Sequence, residues 1–279
     1  MSEYKLSYNI KILGWSFLFV TNCEKVYCDV RNMMSLFFEF ETNNDTGICN
    51  RINVFVFENV YSIEFIGYTR IVDVTDQYKR LLFIIYELIL ISFDQTAKRV
   101  AVFHGAVLSK EENCIAVMAP TQTGKSSFAL NYIENGWAYM SDDYLLYDPE
   151  TKKCIAFPKP VAIRNPDYLI SKSYKYLSAI NNEEIEISLI LPDNHIAVND
   201  LKSLKAVLFI ERKEMPVSYQ LQSITCSALF KNMMFGSHIA SDITINRSIF
   251  QILHMVKGYN LMYNSGTDIF EQLDISNLF

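Results

Sequence analysis

Residues 114–143 read CIAVMAPTQTGKSSFALNYIENGWAYMSDD. Cys114 to Ala119 is a continuous apolar run, as expected of a strand buried on both faces. Lys125 to Asn135 carries Phe128, Ala129, Tyr132 and Ile133 on one helical face, and Gly136 supplies a C-terminal cap. WAYMS then predicts a second strand, ending in Asp142 and Asp143. A helix of this length rises about 16 Å, enough to return the chain along a strand of five or six residues. Strand, crossover and strand make a βαβ unit, so the two strands are expected to run parallel.

Within this unit, residues 119–127 (APTQTGKSS) nearly match the phosphate-loop pattern G-x-x-x-x-G-K-[ST], with Ala119 in place of the first glycine. The candidate nucleotide-binding residues are Pro120, Thr121, Gln122, Thr123, Gly124, Lys125, Ser126 and Ser127. A loop of small residues turns backbone N–H groups and a helix N-terminus toward an anion. Lys125 then reaches the β and γ phosphates of ATP, and Ser126 can hold Mg2+. In a βαβ unit the ligand crevice lies beyond the carboxyl ends of the strands, which puts Asp142 and Asp143 on the edge that carries the loop. One carboxylate there can share the metal and another can take a proton from an attacking hydroxyl. Gly-Lys-Ser alone is common at helix starts and acidic pairs are usually solvated turns; it is their order on one edge that favours a nucleotide site. Alanine at positive φ would cost about 1 kcal/mol. The loop therefore requires Ala119 to end the strand in a β conformation, with Pro120 fixing the turn.

Val100 to Leu108 and Cys114 to Ala119 are expected to form a hairpin centred near Glu111, which sets His104 opposite Met118, beside the mouth of the loop. The residues alone leave a functional and a structural role for His104 equally open. His195, His238 and His254 have no such context.

The 279 residues suffice for one large domain or two modest ones. Half of them are hydrophobic, with only 9 glycines and 7 prolines, so the chain reads as folded. A net charge of -6 and a pI near 5.3 argue against nucleic acid as a general partner. The six cysteines form no CxxC pair and no zinc spacing, as expected of mostly buried thiols in a reducing cytosol. The N-terminal MSEYKLSYNI is a poor match to a signal peptide, so a cytoplasmic location is expected. The apolar run 81–93 is shorter than the roughly 20 residues of a bilayer span and contains Glu87, which predicts a buried helix and no membrane partner.

From Tyr4 to about Val74, β-branched and aromatic runs predict a small, mostly β unit, followed by a helix from about Asp76 to Lys98. The expected domains are 1–98, a β-rich unit ending in a long helix, and 99–279, the catalytic domain. The acidic stretch 181–188 and the segment 191–204 read as solvated loop in preference to a lid or partner contact. The oligomeric state stays open, a homo-oligomer included.

The segment FHGAVLSKEENCIAVMAPTQTGKSSFALNYIENGWAYMSDDYLLYD (103–148), followed by FPKPVAIR (157–164), resembles the catalytic domain of HPr kinase/phosphorylase and the wider HPr kinase-like group. The shared marks are a His-Gly ahead of the loop strand, the loop itself, a short helix ending in glycine, and an Asp-Asp pair closing the next strand. A weaker likeness continues through KAVLFIERKE (205–214) and MVKGYNLMYNSGTDIFEQL (255–273). The resemblance implies an α/β fold, with a phosphoenolpyruvate carboxykinase-like P-loop kinase domain beside the small β-rich unit. It also implies ATP and Mg2+, held by Gly124, Lys125 and Ser126. It makes Asp142 the base on the substrate hydroxyl, Asp143 a metal ligand with Ser126, and His104 an active-site histidine. Lys159 and Arg164 are candidates to meet phosphate or substrate, and Arg212 is a weaker one.

After the Asp-Asp pair only AIR remains of the long signature carried by HPr kinase/phosphorylase. The short N-terminal unit and trimmed kinase domain look more like the branch that phosphorylates the C-terminal serine of lasso peptide precursors. The expected function is thus an ATP-dependent serine kinase, a phosphotransferase with an alcohol group as acceptor, acting on a peptide or small protein. The alternatives are a nucleotide-sensing module without transfer, a kinase of free serine, and an HPr kinase.

Overall fold

The structure is a computed structural model that describes residues 6–13, 15–37, 50–67, 70–96, 99–120, 123–164, 174–181, 185–214, 216–235, 243–264 and 269–279. It is mixed α/β and divides into two compact units, 1–96 with 160–191, and 97–159 with 192–279. The first division falls near the expected boundary at residue 98. Residues 160–191, expected in the catalytic domain, belong to the first unit instead: the chain leaves that unit and returns to it, which no single boundary can represent.

In the first unit, β1 (Leu6–Ile12), β2 (Trp15–Thr21), β3 (Asn50–Phe57), β4 (Val60–Ile66) and β5 (Arg70–Thr75) form one sheet in sequence order. Only β2 and β3 pair in parallel, so a crossover must join them. Helix α1 (Glu24–Met33) lies within it. The β-rich reading of residues 4–74 missed this helix, although Val26, Val30 and Met33 recur at helical spacing and all three are buried. Helix α2 (Tyr78–Thr96) realises the apolar run 81–93, burying Leu81, Ile85, Ile89 and Phe93. Each such side chain contributes about 1.5–3 kcal/mol by leaving water. Strands β12 (Val161–Ile163), β13 (Tyr174–Asn181) and β14 (Glu186–Pro192) complete the unit as a small sheet of order β12-β14-β13. Of the stretch 181–188, expected as loop, residues 181 and 186–188 are therefore strand, and 182–184 lie outside the described residues. Among the described residues no helix is long and apolar enough to cross a membrane.

The second unit is built on a nine-stranded sheet. It contains β6 (Ala101–Phe103), β7 (Ala106–Lys110), β8 (Asn113–Met118), β9 (Ala138–Ser141), β10 (Leu145–Asp148), β11 (Lys153–Ile155), β15 (Leu201–Arg212), β16 (Tyr219–Ser223) and β17 (Lys257–Tyr263). Strand β15 begins beside β11 and then lies between β8 and β17, parallel to both. Strand β7 is antiparallel to β8 on one side and to β9 on the other. The two strands of the expected βαβ unit, β8 and β9, thus point the same way, with β7 between them. Helix α3 (Lys125–Glu134) joins them and packs on β7, β8 and β9. Helices α4 (Cys226–Phe235) and α5 (Ile243–Met255) pack against one another, and their Leu229, Met233, Ile249 and Ile252 share a core with Cys114, Ala116 and Val207 of the sheet. The short α6 (Ile269–Gln272) follows β17.

Three details differ from expectation. The segment 100–108 is not one strand: it breaks at His104 and Gly105, where a Cβ on Gly105 would stand 3.2 Å from the Val117 carbonyl oxygen. The β7–β8 hairpin pairs Ala106 with Val117, so its register lies one residue from the expected one and His104 falls outside the ladder. Of the five described cysteines, only Cys114 and Cys154 are buried; Cys28 and Cys226 are exposed.

Candidate active site

Strand β8 is buried from Cys114 to Met118, as its apolar run requires, and delivers the chain to the loop at the carboxyl edge of the parallel strands. Ala119 does not occupy the left-handed region, so no glycine is needed there. The Pro120 carbonyl accepts from the Thr123 amide at 3.3 Å and from the Thr123 hydroxyl at 2.7 Å, closing a turn. Thr121 and Gln122 lie outside the described residues. Gly124 caps α3 with φ 91°, a conformation that favours glycine. Its carbonyl accepts the first helical hydrogen bond, from Phe128 at 2.8 Å. Among the described residues no side chain caps this end, leaving the first-turn amides of Lys125, Ser126 and Ser127 without partners inside the helix.

The acidic pair ends β9 on the same edge. Asp142 is 1% exposed; it accepts from Lys125 Nζ at 3.0 Å and from Ser126 Oγ at 2.8 Å. Asp143 adopts φ 64°, which costs a residue with a Cβ about 1 kcal/mol. One of its oxygens accepts from Lys125 and the other from Lys159 at 3.1 Å. Burial pushes the Asp143 carboxyl up, but the Lys159 and Lys125 ammonium groups outweigh it and hold the group well below the usual carboxylate range. Burial likewise opposes charge on Lys125, and Asp142 and Asp143 more than compensate, raising its pKa. Two buried ammonium groups and two carboxylates therefore neutralise one another.

Lys159 arrives because residues 157–159 are pinned beside β9. The Phe157 amide donates to the Met140 carbonyl at 2.9 Å, and the buried Tyr139 hydroxyl donates to the Lys159 carbonyl. His104 directly follows β6, whose Phe103 pairs with Leu145, and this brings His104 Nε2 to 3.8 Å from Asp143 Oδ1. The structure thus brings Lys125, Ser126, Asp142, Asp143, Lys159 and His104 together. Pro120, Thr123, Gly124 and Ser127 form the adjoining loop and first helical turn. Arg164 belongs to the other unit, where it follows β12 and is exposed. His195 and His254 are exposed elsewhere, and His238 lies outside the described residues.

Beside the loop opens a cavity of about 750 Å3, within the size range of small-ligand sites. It is lined by His104, Ala119, Pro120 and Thr123, by the carboxyl ends of β15 and β17, including Phe209 and Arg212, and by Asn232 and Phe235 of α4. Sequence reading found neither Phe209 nor the β17 wall. The usable signal was the end of KAVLFIER, a buried parallel strand whose carboxyl end must face the same crevice.

The donor set suits magnesium bound with a triphosphate. Such an ion takes one or two carboxylates and a hydroxyl, and leaves its other positions to phosphate and water. Ser126 Oγ and Asp142 already stand side by side. Among the described residues no three His, Cys, Asp or Glu side chains gather as a metal site of their own.

No protein-family model matches the chain, and no curated protein matches it in sequence. Among solved structures, the chain is similar to the Hpr(Ser) kinase/phosphatase from Coxiella burnetii, at 13% identity and a TM-score of 0.31, over 63% of this chain and 87% of that one.

Proposed function

We propose that the protein is a magnesium-dependent ATP kinase with a phosphoenolpyruvate carboxykinase-like P-loop fold. Its acceptor is a serine hydroxyl on a peptide or small protein, such as the C-terminal serine of a lasso peptide precursor. The observation that carries the reading is the contact of Lys125 and Ser126, at the uncapped start of α3, with both carboxylates that close β9. The amides of the first turn and Lys125 would bind the triphosphate. Ser126 and one carboxylate would hold magnesium, which when bound neutralises charge on the β and γ phosphates. The other carboxylate takes the acceptor's proton while the hydroxyl oxygen bonds to the γ phosphorus and the bond to the β-phosphate oxygen breaks, releasing ADP. Lys159 holds that constellation in place, and the resemblance of the 103–164 segment to HPr kinase-like proteins supports serine as the acceptor.

The test is incubation of the protein with radiolabelled ATP and Mg2+ beside free serine, HPr protein and a peptide ending in serine. Phosphoserine on the peptide, lost in Lys125→Ala, is the expected result. ATP binding without phosphoserine on any of the three overturns the kinase reading in favour of a nucleotide sensor.

A further inference from the structure

The two carboxylates are not equivalent. Asp142 is 1% exposed, and both its oxygens are engaged, by Lys125 and by Ser126. Those two side chains are the ones that would meet the triphosphate and its metal. Asp143 has a left-handed backbone and a side chain 32% exposed, and one of its oxygens accepts from Lys125 and the other from Lys159. It faces Lys159 and stands 3.8 Å from His104, which is itself part of the cavity wall.

Resting on the kinase reading of this site, we infer that Asp143, not Asp142, meets the acceptor hydroxyl, and that Asp142 and Ser126 together hold the metal. This reverses the roles implied by the family resemblance. A general base must come within hydrogen-bond reach of the proton it removes. Asp142 is 1% exposed against 32% for the Asp143 side chain, and both its partners are the side chains assigned to the triphosphate and the metal. A metal, by contrast, needs oxygens already gathered, and Ser126 Oγ and Asp142 Oδ2 are 2.8 Å apart.

Asp143 also survives the change that substrate brings. When Lys125 turns to the triphosphate, Asp143 loses one cation and keeps the other, since Lys159 grips its second oxygen. Lys159 is thereby a positioning residue, holding the base beside the cavity from which the hydroxyl enters. A left-handed aspartate is the kind of local strain that persists where a side chain must be aimed. In the transfer step the acceptor O–H proton passes to Asp143, the oxygen–phosphorus bond forms, and ADP departs.

The test separates metal binding from turnover. Mn2+ is titrated into the full-length protein with a non-hydrolysable ATP analogue and followed by electron paramagnetic resonance. Asp142→Asn and Ser126→Ala are each expected to weaken Mn2+ binding about tenfold or more, as loss of a ligand or its orienting partner does. Asp143→Asn keeps wild-type Mn2+ affinity, yet its transfer of phosphate to the best of the three acceptors falls about 100-fold or more. Lys159→Met lowers kcat in the same direction with Mn2+ affinity retained. Loss of Mn2+ in Asp143→Asn with retention in Asp142→Asn overturns the assignment. If Asp142→Asn fails to fold, Ser126→Ala and Asp143→Asn decide the same question. A wild-type protein that binds Mn2+ and analogue but phosphorylates no acceptor overturns the kinase reading and the base role with it, while the Mn2+ titration still decides which carboxylate holds the metal.

Discussion

Ser126 and Asp142, sixteen residues apart in sequence, share a hydrogen bond of 2.8 Å at the carboxyl edge of the second unit's sheet. The bond exists because α3 returns the chain so that β9 runs the same way as β8. The loop's hydroxyl and the acid that closes β9 therefore come out on one edge. The same geometry sets what each substitution should do.

Lys125→Ala removes the ammonium that neutralises a carboxylate only 1% exposed. Breaking a buried pair from one side costs about 3–5 kcal/mol, and the Lys159 and Ser126 bonds that remain set the loss toward the lower end. The expected outcome is a lower melting temperature in a folded protein, together with loss of phosphate transfer. Calorimetry and the labelled-ATP assay check both; an unchanged melting temperature would contradict the buried pairing.

Gly124→Ala should weaken nucleotide binding for a conformational reason. A Cβ there meets only the Tyr263 hydroxyl at 3.6 Å, an ordinary contact, but φ 91° costs an alanine about 1–2 kcal/mol. Ala119→Gly, which restores the glycine of the loop pattern, should change affinity little, since Ala119 already adopts a conformation open to any residue. Titration of a fluorescent ATP analogue distinguishes the two; a large gain from Ala119→Gly would show that the loop is strained at its start.

Stability of the ligand-free protein should fall on both sides of neutrality. The folded pKa of Asp143 is depressed, so its contribution is present above the unfolded value of about 3.9 and is lost as pH drops below it. That of Lys125 is raised, so its contribution is full below the unfolded value of about 10.4 and is lost as pH climbs through the folded one. Lys159→Met removes one of the two cations beside Asp143 and should flatten the acid limb. Urea unfolding from pH 2 to 5 measures it, and an unaltered acid limb in Lys159→Met would refute the pairing.

The parts of this site that were legible in sequence are local ones. The βαβ pattern, the loop and the Asp142–Asp143 pair lie within one stretch whose apolar run, helical face and glycine cap agree with each other. Lys159 reaches the site through Phe157 and Tyr139 bonds to the neighbouring backbone, which no spacing reveals. The wall formed by β15 and β17 depends on pairing across about 90 residues, from Val117 to Leu208. Helix α1 was hidden by the β-branched and aromatic residues that surround it, although its own period was helical. The return of residues 160–191 to the first unit is likewise a long-range event, carried in part by β13 packing on α1 and α2.

The most direct measurement is isothermal titration of a non-hydrolysable Mg·ATP analogue into the wild-type protein and Lys125→Ala. Saturable binding that requires magnesium in the wild type and disappears in Lys125→Ala is the expected result. Absence of binding in the wild type, or equal binding in both proteins, would contradict a nucleotide site at the start of α3.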